Sequence, residues 1–188
     1  MAEKLLTNVG MYIGFINSTH GKLLLVRRVQ EDSIIPGVSF KGNWELPGGA
    51  MEEMDNPGYG YAILTAFRKA AEKTGIVTRF TPQMAPCHMT FFKGPRGYDL
   101  AGVIPHRIDT EPTKGETMWV SFHELENLAG EFISETEAKA KNLPEAKGLV
   151  SGWGKRMHCM ALAAMTHSPN GFWHDAEDRL KEIAKSWQ

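Results

Sequence analysis

Residues 44 to 49 read Trp44-Glu45-Leu46-Pro47-Gly48-Gly49, and residues 68 to 76 read Arg68-Lys69-Ala70-Ala71-Glu72-Lys73-Thr74-Gly75-Ile76. Between them lie Glu52, Glu53 and Asp55. The first stretch is an apolar strand end running into a Pro-Gly-Gly turn, where the missing Cβ atoms of Gly48 and Gly49 let the backbone approach a ligand closely. The second closes a helix predicted over Tyr61 to Thr74, with Tyr61, Leu64, Phe67 and Ala71 as one apolar stripe and Gly75 as the C-terminal stop. Three carboxylates beside an exposed backbone suit a hard divalent cation such as Mg²⁺. They equally suit a solvated acidic loop ahead of a helix N-terminus, whose dipole favours anions. On the helix, Lys69, Glu72 and Lys73 share one face and Arg68 lies four residues before Glu72. Without further information this is a surface ladder, stabilising by about a few tenths of a kcal/mol.

Outward from this centre, Val9 to Ile16 and Lys22 to Arg28 read as strands of a hairpin joined by Asn17-Ser18-Thr19-His20-Gly21. The unbroken apolar run Leu23-Leu24-Leu25-Val26 predicts a strand covered on both faces, so helices should pack on both sides of the sheet. Gln30 to Lys41 is a loop leading to Asn43 through Leu46. After Gly75, Ile76 to Phe80, His88 to Phe92, Leu100 to Ile108 and Met118 to Ser121 read as strands, with tight turns at Lys93 to Gly97 and a polar loop from Asp109 to Gly115. A short helix follows over Phe122 to Leu128. Beyond a Gly-bearing connection after Leu143-Pro144, two amphipathic helices are predicted over Lys155 to Thr166 and His174 to Trp187. They form either a helical extension packed on the core or a homodimer contact.

The 188 residues suffice for one well-buried core. The 21 basic and 22 acidic side chains nearly cancel, which argues against duplex nucleic acid or an anionic membrane as the main partner. No leader-like or membrane-spanning run is evident, and Cys87 and Cys159 have no metal-ligand spacing, which fits reduced thiols and a cytoplasmic location. Trp44 reads as a core anchor more readily than as a base-stacking platform. Arg27, Arg28 and Arg96 read as solvated loop arginines more readily than as a phosphate grip.

Taken together, Trp44 to Gly49, Glu52, Arg68, Glu72, Gly75 and Ile76 resemble the Nudix box, G-x5-E-x7-R-E-U-x-E-E-x-G-U with U aliphatic. The resemblance extends upstream to the strand ending Leu24-Leu25-Val26-Arg27-Arg28. Downstream it reaches Gly115-Glu116, Trp119-Val120-Ser121 and Glu124-Leu125, so it covers roughly residues 9 to 128. It implies an α/β fold, a Nudix-type α/β/α sandwich with a mixed sheet over residues 1–128, followed by a helical C-terminal extension over 129–188 on the same domain. It also implies hydrolysis of the pyrophosphate bond in a nucleoside diphosphate linked to another moiety. Mg²⁺ or Mn²⁺ would serve as the cofactor, and a small-molecule nucleotide or nucleoside diphosphate derivative as the partner.

The departures from the pattern bear on activity. With Arg68 and Gly75 fixing the register, the family's R-E-U-x-E-E becomes Arg68-Lys69-Ala70-Ala71-Glu72-Lys73, so two helix carboxylates are lysines. Asp55 precedes Arg68 by thirteen positions where the family has eight, leaving five extra residues within Asn56 to Tyr61. Lysine, protonated near neutrality at its ordinary pKa of about 10.4, cannot ligate Mg²⁺, but its ammonium can neutralise a phosphate oxygen directly. Two readings follow. In one, a weakened hydrolase uses Glu72, Arg68, Glu52, Glu53 and Asp55 in catalysis and Glu72, Asp55 and Glu116 as metal ligands. In the other, a catalytically silent nucleotide-binding or regulatory module receives phosphates on Lys69, Lys73 and the backbone of Gly48 and Gly49.

Overall fold

The computed structural model describes residues 6–29, 41–51, 59–81, 83–94, 97–129, 154–169 and 172–185. Seven strands and four helices occupy these residues. The strands are β1 (Leu6–Asn17), β2 (Leu23–Arg27), β3 (Trp44–Glu45), β4 (Gly48–Ala50), β5 (His88–Gly94), β6 (Gly97–Ile108) and β7 (Thr117–Val120). The helices are α1 (Tyr59–Thr74), α2 (Phe122–Ala129), α3 (Gly154–Met165) and α4 (Phe172–Lys185). The acidic run Glu52, Glu53 and Asp55, most of the 30–41 loop, the connection before Gly154 and Arg96 lie outside the described residues.

One mixed sheet runs β3-β2-β1-β6-β5, with β4 also pairing β1 and β7 also pairing β2. At its centre β1 and β6 are parallel, while the other pairings are antiparallel. Because alternate side chains of a strand point to opposite faces, β1 and β2 feed two separate cores. Met11, Ile13, Phe15 and Leu24 join Ala62, Ile63, Ala66, Phe67 and Ala70 of α1. Tyr12, Ile16, Leu23 and Leu25 join the buried face of α3 and Leu125 of α2. The unbroken apolar run in β2 therefore has the expected cause, helices on both faces. The fold is a mixed α/β sandwich.

Helix α3 is enclosed from Met157 onward. Each residue from Met157 to Met165 is buried, including His158 at 5% exposure. The helix packs on the sheet and against α2 and α4. Close approach depends on Gly14 of β1, where a Cβ would overlap the Cβ of Ala164. Across the outer side of α3, Glu126 of α2 takes His158 Nε2 at 2.6 Å and Arg179 Nε of α4 at 2.9 Å, one carboxylate joining three helices. The methionine-rich face of Met157, Met160, Leu162 and Met165 is packing. Trp44 also packs against this core. Neither Cys87 nor Cys159 is in a disulfide, and burial pushes the Cys87 thiol up to about 11.

Two local expectations change. The buried stripe of α1 is Ala62, Ile63, Ala66, Phe67 and Ala70, whereas Tyr61 and Leu64 are 47% and 50% exposed. The small alanines let the helix sit close to the sheet, so they face inward and the larger Tyr61 and Leu64 are turned outward. Residues 76–80 form no strand: Ile76 alone is buried, and Val77 is 84% exposed. The β-propensity of that segment describes a fit to a half-buried pleated surface, and after Ile76 the chain has left that surface. No helix among the described residues is long and apolar enough to cross a membrane.

Candidate functional site

Strand β4 brings the Gly48-Gly49 turn onto the edge of β1, with Met11 opposite Gly49 and Tyr12 opposite Gly48. The backbone there is open only to glycine. Gly48 has φ +139°, and a Cβ on it would overlap the Met11 carbonyl oxygen and lie 2.6 Å from Tyr12 Cα. Gly49 has φ +154°, but its missing Cβ faces a side chain, with Lys69 Cδ 3.2 Å and Lys69 Nζ 3.8 Å from the position a Cβ would take. The fold thus lays Lys69 of α1 over the glycine turn.

One turn later on α1, Lys73 Nζ sits 2.5 Å from Glu45 Oε1. Glu45 ends β3 and is buried at 3% exposure. Its other oxygen, Oε2, faces Arg28 Nη1 at 3.6 Å. A carboxylate taken out of water is tolerated when cations and hydrogen bonds replace its hydration, and Lys73 and Arg28 supply that replacement from two sides. Lys73 itself remains partly open, with 32% of its side chain exposed.

The end of α1 is fixed by the loop between β6 and β7. Gly75, at φ +75°, donates its N–H to the Ala71 carbonyl in the left-handed cap that ends many helices. The Thr74 carbonyl then accepts the N–H groups of Thr113 and Lys114 at 2.8 and 3.0 Å. A Cβ on Gly115 would overlap the Lys73 carbonyl. This docking brings Glu116 beside β2, where Oε1 accepts from Arg27 Nη1 at 2.8 Å while Arg27 Nε donates to the Gly42 carbonyl. On the outer face of α1, Arg68 Nη1 donates to Glu72 Oε1 at 2.9 Å.

The candidate residues therefore sort into pairs. Lys69 meets Gly49, Glu72 meets Arg68, and Glu116 meets Arg27, while Glu52, Glu53 and Asp55 lie outside the described residues. Glu72 and Glu116 do not assemble with a third donor: no group of three His, Cys, Asp or Glu side chains able to hold a metal occurs among the described residues. Among the described residues, the donors on this face do not make a divalent-cation site, and an ammonium already occupies one oxygen of Glu45. Glu45 carries no signal of this pairing in the sequence: between Trp44 and Leu46 it points to the opposite face of the strand, and only the fold buries it against Lys73, the residue whose charge departs from the motif.

A family model described as "NUDIX domain" matches residues 8–151. No curated protein sequence matches significantly. Among solved structures, the chain is similar to a MutT protein from Methanosarcina mazei Go1, at 25% identity over 69% of this chain and 85% of that one, with a TM-score of 0.46. It is also similar to the NUDIX domain of Shewanella oneidensis NrtR, crystallised with ADP ribose, at 21% identity over 65% of this chain and 76% of that one, with a TM-score of 0.46. A third similarity is to a bifunctional NMN adenylyltransferase/ADP ribose pyrophosphatase from Francisella tularensis, at 22% identity over 68% of this chain and 37% of that one, with a TM-score of 0.43. With its family match running through the hairpin, the glycine turn, α1 and the closing strand, the chain belongs to the NUDIX domain family.

Proposed function

We propose that this domain binds the diphosphate of a nucleoside diphosphate linked to another moiety at the glycine turn and the Lys69–Lys73 face of α1, and that it hydrolyses the pyrophosphate bond only slowly. One observation carries this reading. The carboxylates of Glu45, Glu72 and Glu116 already have side-chain cations: Glu45 has Lys73 and Arg28, Glu72 has Arg68, and Glu116 has Arg27. Divalent ions in hydrolases of this kind neutralise charge developing on the phosphates and lower the pKa of bound water. An ammonium performs the first task and cannot perform the second, so binding survives while the nucleophile is poorly activated.

In this reading the residues have separate tasks. The backbone of Gly48 and Gly49 lies close to the ligand. Lys69 and Lys73 neutralise phosphate oxygens as point charges. Arg68 holds Glu72 on the outer edge of the helix, where with Glu52, Glu53 or Asp55 it supplies the carboxylate for residual turnover. The same pairing favours a second reading, a binding or regulatory module with no turnover.

The test combines turnover and affinity. Dinucleotides, nucleotide sugars and nucleoside triphosphates are assayed with Mg²⁺ or Mn²⁺ for release of a nucleoside monophosphate, and affinity is measured with chelator present. The expected result is slow release from a diphosphate-linked substrate, with affinity retained in chelator and weakened about tenfold or more in the Lys69→Ala, Lys73→Ala double variant. Affinity lost on chelation, or unchanged in the double variant, would overturn the proposal. Absence of turnover with affinity intact selects the second reading.

A further inference from the structure

We infer that Glu45 is a positioning residue that fixes Lys73 as a permanent cation of the anion site, with Arg28 as the second support of the same carboxylate. The inference rests on the reading that phosphates bind at this face, and it assigns to a residue outside the Nudix motif the task of holding the charge.

Three observations meet at Glu45. Its side chain is 4% exposed, so it makes no appreciable contact with solvent or with a ligand of its own. Its two oxygens are divided between cations from different elements, Oε1 with Lys73 of α1 at 2.5 Å and Oε2 with Arg28, just after β2, at 3.6 Å. The backbone locks that geometry: Val26 pairs with Glu45 and Arg27 with Trp44 across β2 and β3, and the Arg28 N–H donates to the Asn43 carbonyl. The helix side is locked as well, because the 113–115 loop closes on the last turn of α1 at the Lys73 and Thr74 carbonyls. A lysine normally loses considerable rotamer freedom when it grips an anion. Here that freedom has already been removed on the buried side, while 32% of the side chain stays exposed toward solvent. Lys69, lying over Gly49, is the neighbouring cation one turn back.

The sign of one substitution separates positioning from simple charge. Glu45→Gln keeps the shape and removes a negative charge, so long-range electrostatics alone would tighten the binding of any anion. If Glu45 positions Lys73, the same change weakens it. The probe is inorganic pyrophosphate, titrated calorimetrically into the full chain with chelator present. The wild type should bind, and Glu45→Gln should bind about fivefold or more weakly, the loss expected when one preorganised ionic contact is released. In a Lys73→Met background, Glu45→Gln should no longer weaken binding. Glu45→Gln binding as tightly as wild type or tighter, with Lys73 present, overturns the inference and leaves the proposed function standing.

A ligand-free measurement keeps the two apart. A tethered ammonium gives a resolved side-chain signal in a proton–nitrogen correlation spectrum, assigned by its loss in Lys73→Met. That signal should be present in the wild type and absent in Glu45→Gln; a signal unchanged by Glu45→Gln overturns the tether whatever the titration gives. A wild type that fails to bind pyrophosphate overturns the proposed function, and the spectrum still decides the tether. If Glu45→Gln does not fold, Arg28→Gln leaves the close pair in place and removes its second support. It should weaken both the signal and the affinity, and no change in either overturns the inference.

Discussion

Substituting alanine separately at Gly48 and Gly49 tests whether the glycine turn is fixed by packing against β1 or by backbone conformation alone. Both residues have positive φ, +139° and +154°, so either alanine bears a backbone cost of about 1–3 kcal/mol. They differ in what the new methyl meets. At Gly48 it would overlap the Met11 carbonyl oxygen and lie 2.6 Å from Tyr12 Cα, both backbone atoms of a central strand. At Gly49 it would meet Lys69 Cδ at 3.2 Å, part of a flexible side chain that can step aside. Overpacking against immovable atoms adds about 1–3 kcal/mol, so Gly48→Ala should lose about 2–6 kcal/mol in total. Gly49→Ala should lose only the backbone part. In a domain of this size each kcal/mol shifts the melting temperature by roughly 2–4 °C, so Gly48→Ala should melt roughly 2–12 °C below Gly49→Ala. Scanning calorimetry of the two variants beside the wild type measures this directly. Equal losses would refute the reasoning, because they would show that β4 is not pressed against β1. Gly49→Ala should also displace Lys69 and weaken pyrophosphate binding despite its smaller effect on melting.

Two further outcomes concern the face opposite the site. Gly14→Ala should destabilise the domain by about 1–3 kcal/mol through overlap with Ala164, and Ala164→Gly added to it should restore part of the loss; a double variant no more stable than Gly14→Ala would show that the two atoms do not collide. Burial holds His158 below its ordinary pKa of 6.5, with the Glu126 carboxylate pulling the other way and Arg179 adding to the lowering, and burial also lowers His88 and His106. A base depressed in the folded state takes up more protons when unfolded. Its contribution to stability is therefore full above about pH 6.5 and is lost as the pH falls through the window below that value. Denaturant midpoints measured across that window should fall on acidification, and His158→Gln should flatten the fall.

Much of the fold could be read from residue order because the decisive signals were local or periodic. The apolar run of β2, the Gly75 stop and the polar 109–115 loop each carry their cause in a few neighbouring residues. The buried face of α1 differs from the periodic stripe because period alone admits Tyr61 and Leu64, which the fold leaves exposed. The sheet, however, selects the alanines, whose small size governs how near the helix can lie. Residues 76–80 misled for a related reason: their β-branched composition names a preference that only a neighbouring strand edge can satisfy. At the site, the motif singles out Lys69, Lys73, Gly48 and Gly49 as candidates, and helical spacing anticipates the Arg68–Glu72 pair. Spacing could not supply the partners of Lys73 and Glu116. Glu45 and Lys73 are 28 positions apart and Arg27 and Glu116 are 89 apart, distances over which only the completed sheet brings side chains together.

The parallel pairing of β1 with β6 also bears on how the molecule is made. Its partners, from Val9 with Leu100 to Asn17 with Ile108, are about ninety residues apart in sequence, while β5 with β6 and β1 with β2 are separated by only a few residues of chain. Contacts that close long loops form slowly, because chain entropy is lost before any packing is gained. The two hairpins can therefore form early, each carrying an apolar edge that later becomes the middle of the sheet. Until those edges meet, β1 and β6 offer unpaired backbone to any other strand. The most protected part of the finished protein is thus its most vulnerable part during folding, and refolding yield should fall as protein concentration rises.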